Sequence, residues 1–276
     1  AFWEAFLGAL ANRRNVALLD PHWPGEWLHE LRREAMRFSG PAPAILIPTS
    51  GSSGLPRFCV HRPDSLRAAA RGFCDRFGSK GLRHAVNVLP QHHVGGLMAT
   101  WRAAAAGGQV HFADYRNPDS LRQLPFPARH STLSLVPTQL RRMLADPEAT
   151  DRLRAFGMIL VGGAACPSDL LASARQAELP LAPCYGSTET AAMVTALDPE
   201  SFLQDVSGVG TPLPHARLET GPDQRIRIRA SSLLYQYHPD LPSFGRDPYL
   251  TGDLGALDAA GRLHILGRAD RVIITG

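Results

Sequence analysis

The sequence predicts an α/β protein: parallel sheets flanked by helices, followed by a small antiparallel β subdomain. Three observations carry this. Short apolar runs alternate with stretches of helical spacing up to about Asp198, the pattern of parallel strands covered on both faces. Beyond it the runs become short and alternating (225–229, 250–257 and 263–266), with no helical stretch between them. Near the start, a glycine- and hydroxyl-rich loop, Thr49-Ser50-Gly51-Ser52-Ser53-Gly54, separates the apolar runs 44–47 and 58–60.

Taken in order, Ala1 to Leu7 reads as a short amphipathic helix, since it lacks the basic start of a signal peptide. Val16 to Leu19 reads as a strand. Trp27, Leu28, Leu31, Ala35 and Phe38 share one face of a helix from Pro24 to Phe38, stopped by Ser39-Gly40-Pro41. The strand at 44–47 leads into the loop, whose small residues can turn N–H groups and hydroxyls inward on phosphate oxygens, with Arg57 as a fixed charge beside them. A flexible turn is the bland alternative. A Walker A loop is excluded, because Gly-Lys-Ser/Thr is missing and no helical pattern follows directly. Asp64 is expected to cap a helix to Phe77. Strands are expected at 85–89, 110–112, 132–136, 158–161 and from Leu181. Helices are expected at 96–106, from Pro137 to Leu144 and from Pro167 to Ala177. The expected division is 1–198, α/β with phosphate loop and acyl pocket; 199–266, β-rich; and 267–276, a hinge segment.

Composition narrows the function. With 276 residues, 44% hydrophobic and 20% charged, the chain suits a globular protein with a sizeable core. The net charge of +4 is carried by arginine, Lys80 being the sole lysine, and no basic run carries interleaved aromatics, so no nucleic-acid partner is expected. Cys59, Cys74, Cys166 and Cys184 match no zinc or redox spacing and read as core thiols of a reducing compartment. No apolar run is long enough for a membrane span, and a cytoplasmic location is expected. The oligomeric state is not fixed; a homodimer is compatible.

Further motifs follow the loop: Gly162-Gly163-Ala164, Tyr185-Gly186-Ser187-Thr188-Glu189-Thr190, Gly208-Val209-Gly210-Thr211-Pro212, Tyr249-Leu250-Thr251-Gly252-Asp253 and Gly267-Arg268-Ala269-Asp270. In this order and spacing, from about Ile45 onward, they resemble the core motifs of the adenylate-forming superfamily, which includes acyl- and aryl-CoA ligases, luciferases and peptide-synthetase adenylation domains. The resemblance implies the large N-terminal domain of such an enzyme, with ATP, Mg²⁺ and CoA as cofactors or co-substrates. It implies that residues 49–54 and Arg57 (where the family usually has Lys) hold the β- and γ-phosphates, and that Gly163, Ala164, Gly186 and Ser187 line the nucleotide. Tyr185 would lie on adenine, Thr188 on the α-phosphate, Glu189 on Mg²⁺, Asp253 and Arg268 on the ribose, and Asp270 would be the hinge. Pro90-Gln91-His92-His93-Val94-Gly95-Gly96 resembles the segment whose histidine, here His93, borders the acyl pocket with Gly96 and Gly162. The His pair also admits a metal reading, but no further ligand stands at nearby spacing.

Trp101-Arg102 and the Ser134-to-Leu140 stretch resemble o-succinylbenzoate–CoA ligases of menaquinone synthesis, in which an Arg and a Ser serve the succinyl carboxylate. An arginine in an apolar pocket has a physical reason only if the acid carries a second charge. The alternative puts Arg102 on the solvent side of its helix. The resemblance also implies a smaller C-terminal domain carrying a catalytic lysine. That domain is expected to be absent here, and Lys80 is no substitute for its lysine. The expected function is therefore acyl-adenylate formation followed by thioester formation on CoA. A CoA ligase for another aromatic or aliphatic acid, and a non-catalytic nucleotide or acyl-adenylate module, remain as alternatives.

Overall fold

The structure, a computed structural model, describes residues 2–49, 56–239 and 248–271. In chain order the main elements are α1 (Phe2–Ala11), β1 (Val16–Ala17), α2 (Gly25–Arg37), β2 (Ile45–Thr49), β3 (Arg57–His61), α3 (Pro63–Phe77), β4 (His84–Asn87), α4 (Val94–Ala105) and β5 (Val110–Phe112). They continue with β6 (Ser131–Leu135), α5 (Pro137–Leu144), α6 (Pro147–Arg154), β7 (Met158–Val161), α7 (Ser168–Gln176), β8 (Leu181–Ser187), β9 (Ala192–Ala196) and α8 (Pro199–Leu203). The remainder is β10 (Thr211–Pro212), β11 (Ala216–Thr220), β12 (Arg225–Ala230), β13 (Gln236–His238), β14 (Tyr249–Leu257) and β15 (Leu263–Arg268).

Among the described residues three sheets result. The central one has seven strands in the order β10-β9-β8-β7-β6-β4-β5. Its strands β5, β4, β6, β7 and β8 are parallel, and β9 and β10 add an antiparallel edge. A smaller sheet, β1-β2-β3-β13, is mixed: β2 and β3 form an antiparallel pair, with β1 parallel to β2. The third, β11-β12-β14-β15, is antiparallel throughout.

The strand sequences explain the layering. In β2, Ile45 and Ile47 pack with residues of α1, α3 and α4, whereas Leu46 turns to the opposite face with Leu31 of α2 and Phe58 and Val60 of β3. In the seven-stranded sheet, Met158 and Leu160 face Phe73 and Phe77 of α3, while Ile159 and Val161 face the cluster under α5, α6 and α7. Strands buried on both faces must be apolar at every position, which is why they read as continuous runs. Helices α3 and α4 therefore lie between the two sheets.

Several boundaries differ from expectation. Pro63 opens α3, and Asp64 sits inside its first turn, paired with Arg67 at 2.8 Å, so it is not the cap. Helix α4 begins at Val94, with His93 as its extended N-cap residue. Of the residues 199–266 expected as one β-rich unit, α8 packs under the central sheet, β10 joins that sheet and β13 joins the first. Strands β9 and β13 carry too few contrasting residues for periodicity to reveal them.

Leu133 in β6 is fully buried at the centre of the largest cluster. Leu133→Ala is expected to lower the unfolding free energy by about 2–5 kcal/mol, measured by urea denaturation. A loss below about 1 kcal/mol would show that the site collapses around the missing methyls.

Candidate active site

The carboxyl ends of parallel strands are where ligands of open α/β sheets sit. Here those ends carry the turns at 88–93 after β4, Val136 after β6, Gly162-Gly163-Ala164 after β7 and Tyr185 to Ser187 at the end of β8. Gly163 has φ +79°, a conformation favouring glycine, and both Gly163 and Ala164 are exposed. Gly186 is required by its neighbour: a Cβ there would stand 1.9 Å from the Ala192 carbonyl oxygen across the β8–β9 turn.

That turn is the best-fixed part of the site. Thr188, Glu189 and Thr190 form a single 3₁₀ turn. Thr190 Oγ1 donates to the Ala192 carbonyl at 2.6 Å and accepts from the Ser187 amide at 2.9 Å. From the first sheet, the fully buried His61 ring brings Nε2 to 2.7 Å from the Thr188 carbonyl and Nδ1 to 3.0 Å from Ser65 Oγ. The Glu189 carbonyl accepts from the Leu234 amide at 2.8 Å. The Glu189 carboxylate is buried and accepts from the Tyr237 hydroxyl at 2.8 Å. The Arg57 guanidinium lies 3.8 Å over the Tyr237 ring, and a hydroxyl–hydroxyl hydrogen bond joins Tyr237 to Tyr249. Burial first, and the Glu189 charge second, hold the Tyr237 phenol far above its ordinary range.

A second chain of contacts runs to the antiparallel sheet. The Tyr185 hydroxyl donates to Asp253 Oδ2 at 2.7 Å. Asp253 Oδ1 lies 3.5 Å from Arg268 Nη1, and the Arg268 fork grips Asp270 at 2.9 and 3.0 Å. Arg268 and Asp253 pair across β14 and β15. In this arrangement Arg268 is bound chiefly to Asp270.

The residues expected at an acyl pocket come largely from α4, β6 and the turns beside them. Gly96 is buried, and its missing side chain leaves room for the Pro90 carbonyl, which a Cβ would approach to 2.2 Å. Asn87, buried at the end of β4, closes this turn by donating to the Gly96 carbonyl at 2.9 Å and accepting from the Leu89 amide at 3.0 Å. Arg102 is not on the solvent side of α4. It is 4% exposed, donates from Nη2 to Ser134 Oγ at 2.9 Å and lies 5.4 Å from the centre of the Phe73 ring. Its Nε is buried with no hydrogen-bond partner, and among the described residues no carboxylate reaches salt-bridge distance of its guanidinium. Burial lowers its pKa to about 10, leaving the guanidinium charged at neutral pH. Gly162 adjoins Cys184, whose thiol burial pushes up to about 11. His93 is exposed; partial burial of its ring lowers its pKa, and Asp20 opposes that shift.

Of the residues expected on the nucleotide, Thr49 ends β2; Ser50, Gly51, Ser52, Ser53 and Gly54 lie outside the described residues. Lys80 is on the surface, ion-paired with Asp198 at 3.6 Å and with Glu200. His61, Tyr237 and Asn87 escape sequence reasoning. Each is a single polar residue between ordinary neighbours, and only the paired strands or turns bring it to the site.

The comparisons agree with this architecture. The family model for AMP-binding enzymes matches residues 9–222, and the chain belongs to that adenylate-forming family. It is 31% identical over 245 residues to a probable 2-succinylbenzoate–CoA ligase of Mycobacterium tuberculosis, covering 84% of this chain and 60% of that one. It is 28% identical over 299 residues to the indoleacetate–CoA ligase of Aromatoleum aromaticum, covering 99% of this chain and 58% of that one. The structure of Escherichia coli MenE with a bound analogue of OSB-AMS superposes with a TM-score of 0.73 at 26% identity, over 92% of this chain and 61% of that one. The chain thus spans about three-fifths of the length of these relatives. Among the described residues no helix is long and apolar enough to cross a membrane.

His61 supplies a pH test of the β8–β9 junction. Burial lowers its pKa to about 4 from the ordinary 6.5. Between these values the unfolded chain binds the extra proton, so this contribution to stability is complete above pH 6.5 and declines as pH falls to 4. The loss is on the order of 3 kcal/mol. Denaturation of the wild type and His61→Gln at pH 7 and 4.5 is expected to show a shallower pH dependence in the variant. Equal slopes would mean that the His61 ring is solvated.

Proposed function

We propose that this chain carries the adenylation site of an AMP-forming acid–CoA ligase, and that its acid bears a second carboxylate, o-succinylbenzoate being the best fit. The observation that supports the acid assignment is Arg102: a charged guanidinium, buried, with one hydroxyl partner, an orphaned Nε and no described carboxylate. A buried charge without a counter-charge is costly, and a ligand carboxylate would remove that cost. A monocarboxylic acid would leave it in place.

In the proposed reaction a carboxylate oxygen of the acid attacks the α-phosphorus of ATP. The α–β phosphoanhydride bond breaks and pyrophosphate leaves with the electron pair. Repulsion between anions is the obstacle, so donors and positive charge around the phosphates are the remedy. Arg57, Thr49 and the loop 50–54 would hold the β- and γ-phosphates, and Thr188 the α-phosphate. Glu189 fits a Mg²⁺ site by chemistry: it is a hard-oxygen donor, and Mg²⁺ takes few protein carboxylates, completing its shell with phosphate oxygens and water. When bound, the ion neutralises charge on the phosphates. Tyr185, Gly163, Ala164, Gly186 and Ser187 would bound the adenosine, with Asp253 and Arg268 at the ribose. His93, Gly96 and Gly162 would position the acid. CoA then attacks the acyl carbon through its thiol sulfur, the acyl–phosphate bond breaks and AMP departs. Asp270, in the grip of Arg268, is the proposed hinge to further chain carrying the catalytic lysine.

A ligase for another aromatic acid is the competing reading, favoured by the indoleacetate–CoA ligase likeness. Calorimetric titration with non-hydrolysable succinylbenzoyl-, benzoyl- and hexanoyl-adenylate mimics separates the two. The succinylbenzoyl mimic is expected to bind best, and Arg102→Met to weaken it by roughly tenfold to a hundredfold while leaving the benzoyl mimic nearly unchanged. Equal binding of all three would discard the second-carboxylate assignment.

A further inference from the structure

Beside the acyl site, two loops from different sheets bring three metal-type donors together. Asp20 follows β1, and His92 and His93 follow β4; one ligand atom from each lies within 4.8 Å of the others. Among the described residues this is the sole group of three or more His, Cys, Asp or Glu donors that converges in this way. The sequence hid it, because Asp20 stands far from the His pair along the chain.

The arrangement is more than proximity. Asp20 Oδ1 is occupied: it accepts from the His22 amide at 2.9 Å and lies 3.0 Å from His22 Nδ1. Asp20 Oδ2 is thereby turned to the His pair, 3.4 Å from His92 Nε2. That His92 nitrogen is buried, and the Asp20 oxygen is too far away for a well-formed hydrogen bond. The two imidazoles lie with ring centres 4.4 Å apart, tilted by 54°. The Asp20 and His92 side chains are only 20% and 14% exposed, whereas His93 is open to solvent. An oriented carboxylate, a buried ring nitrogen 3.4 Å from it and a second ring at the mouth describe a half-enclosed coordination site.

We propose that Asp20, His92 and His93 bind a divalent transition-metal ion of the zinc, cobalt or nickel class. Two imidazoles and one carboxylate suit such ions, whereas Mg²⁺ prefers oxygen donors alone. Tetrahedral donors about 2.0–2.1 Å from a zinc ion stand roughly 3.3–3.5 Å apart. The observed donors need shifts on the order of an ångström to close, well within side-chain rotation. The exposed side leaves a coordination position for water. His22 plays the outer role, orienting the carboxylate through its far oxygen. The site is distinct from Glu189, which carries the proposed Mg²⁺ function. One consequence rests on the acyl-pocket reading of His93: an ion there takes the imidazole that would border the acid, so metal and acyl group compete.

Titration of the chain with Co²⁺, followed by visible absorption, tests the site directly. One equivalent is expected to give a tetrahedral nitrogen–oxygen spectrum without thiolate-to-cobalt charge transfer, displaced by Zn²⁺. Asp20→Asn and His92→Gln are each expected to weaken binding by at least about tenfold. Their circular dichroism and retained binding of the succinylbenzoyl-adenylate mimic report that they are folded. A thiolate band, or equal cobalt affinity in wild type and both variants, overturns the proposal. Mimic titrations with and without one equivalent of Zn²⁺ test the competition. Weakening in the wild type but not in Asp20→Asn supports it. Unchanged affinity beside an intact cobalt spectrum leaves the metal site standing and overturns the acyl-pocket placement of His93.

Discussion

The junction at Thr188 and Glu189 is the constraint on which the rest of the site depends. The seven-stranded sheet and the β1-β2-β3-β13 sheet share no strand. They are joined there by polar contacts in an otherwise apolar interior: His61 Nε2 to the Thr188 carbonyl, the Leu234 amide to the Glu189 carbonyl and the Tyr237 hydroxyl to the Glu189 carboxylate. Each contact is directional, so it fixes register as well as proximity. Apolar packing of α3 and α4 between the sheets supplies the adhesion but would tolerate sliding. Leaving any of these buried groups unpaired would cost about 1–3 kcal/mol, which discriminates against shifted arrangements.

Strand β13 explains why the chain returns to the first sheet after visiting the others. It pairs with β3, sets Tyr237 opposite Cys59 and so puts a phenol between Arg57 and Glu189. The positive and negative groups proposed to face the phosphates are thereby separated by an aromatic ring. They do not collapse into an ion pair that a nucleotide would have to break. The planar head of Arg57 suits the ring better than an ammonium group would. The Arg at this position therefore has a structural rationale of its own.

Much of the central sheet was legible, because strands buried on both faces are continuous apolar runs and their helices have caps and prolines. Helix α5 and strand β7 fall on the residues expected. Helix α3 begins two residues earlier than the Asp64 cap implied, because Pro63 suits the first helical position: its φ is preset and it brings no N–H to satisfy there. The edge elements were not legible. Strand β13 is three residues long and β10 two, and their pairing is decided by what they meet, which no local pattern records. The same limit applies to function. Tyr185, Glu189 and Asp253 are visible as members of motifs. His61, Asn87, Tyr237 and Asp20 acquire meaning only from partners brought close by the fold.

Glu189 and Arg102, the carboxylate and the guanidinium buried among the described residues, meet the cost of burial differently. Glu189 is satisfied within the protein by a phenol, so the fold carries its cost unaided. Arg102 is satisfied only in part, by the Ser134 hydroxyl and the face of Phe73. Its deficit cannot be relieved by rotation to water, because the guanidinium is enclosed between α3, α4 and β6. A neutral or singly charged acid would leave that deficit as it is, whereas an acid with a second carboxylate would remove it on binding. In the proposed function, specificity of this kind would draw on an energy already present in the unliganded protein.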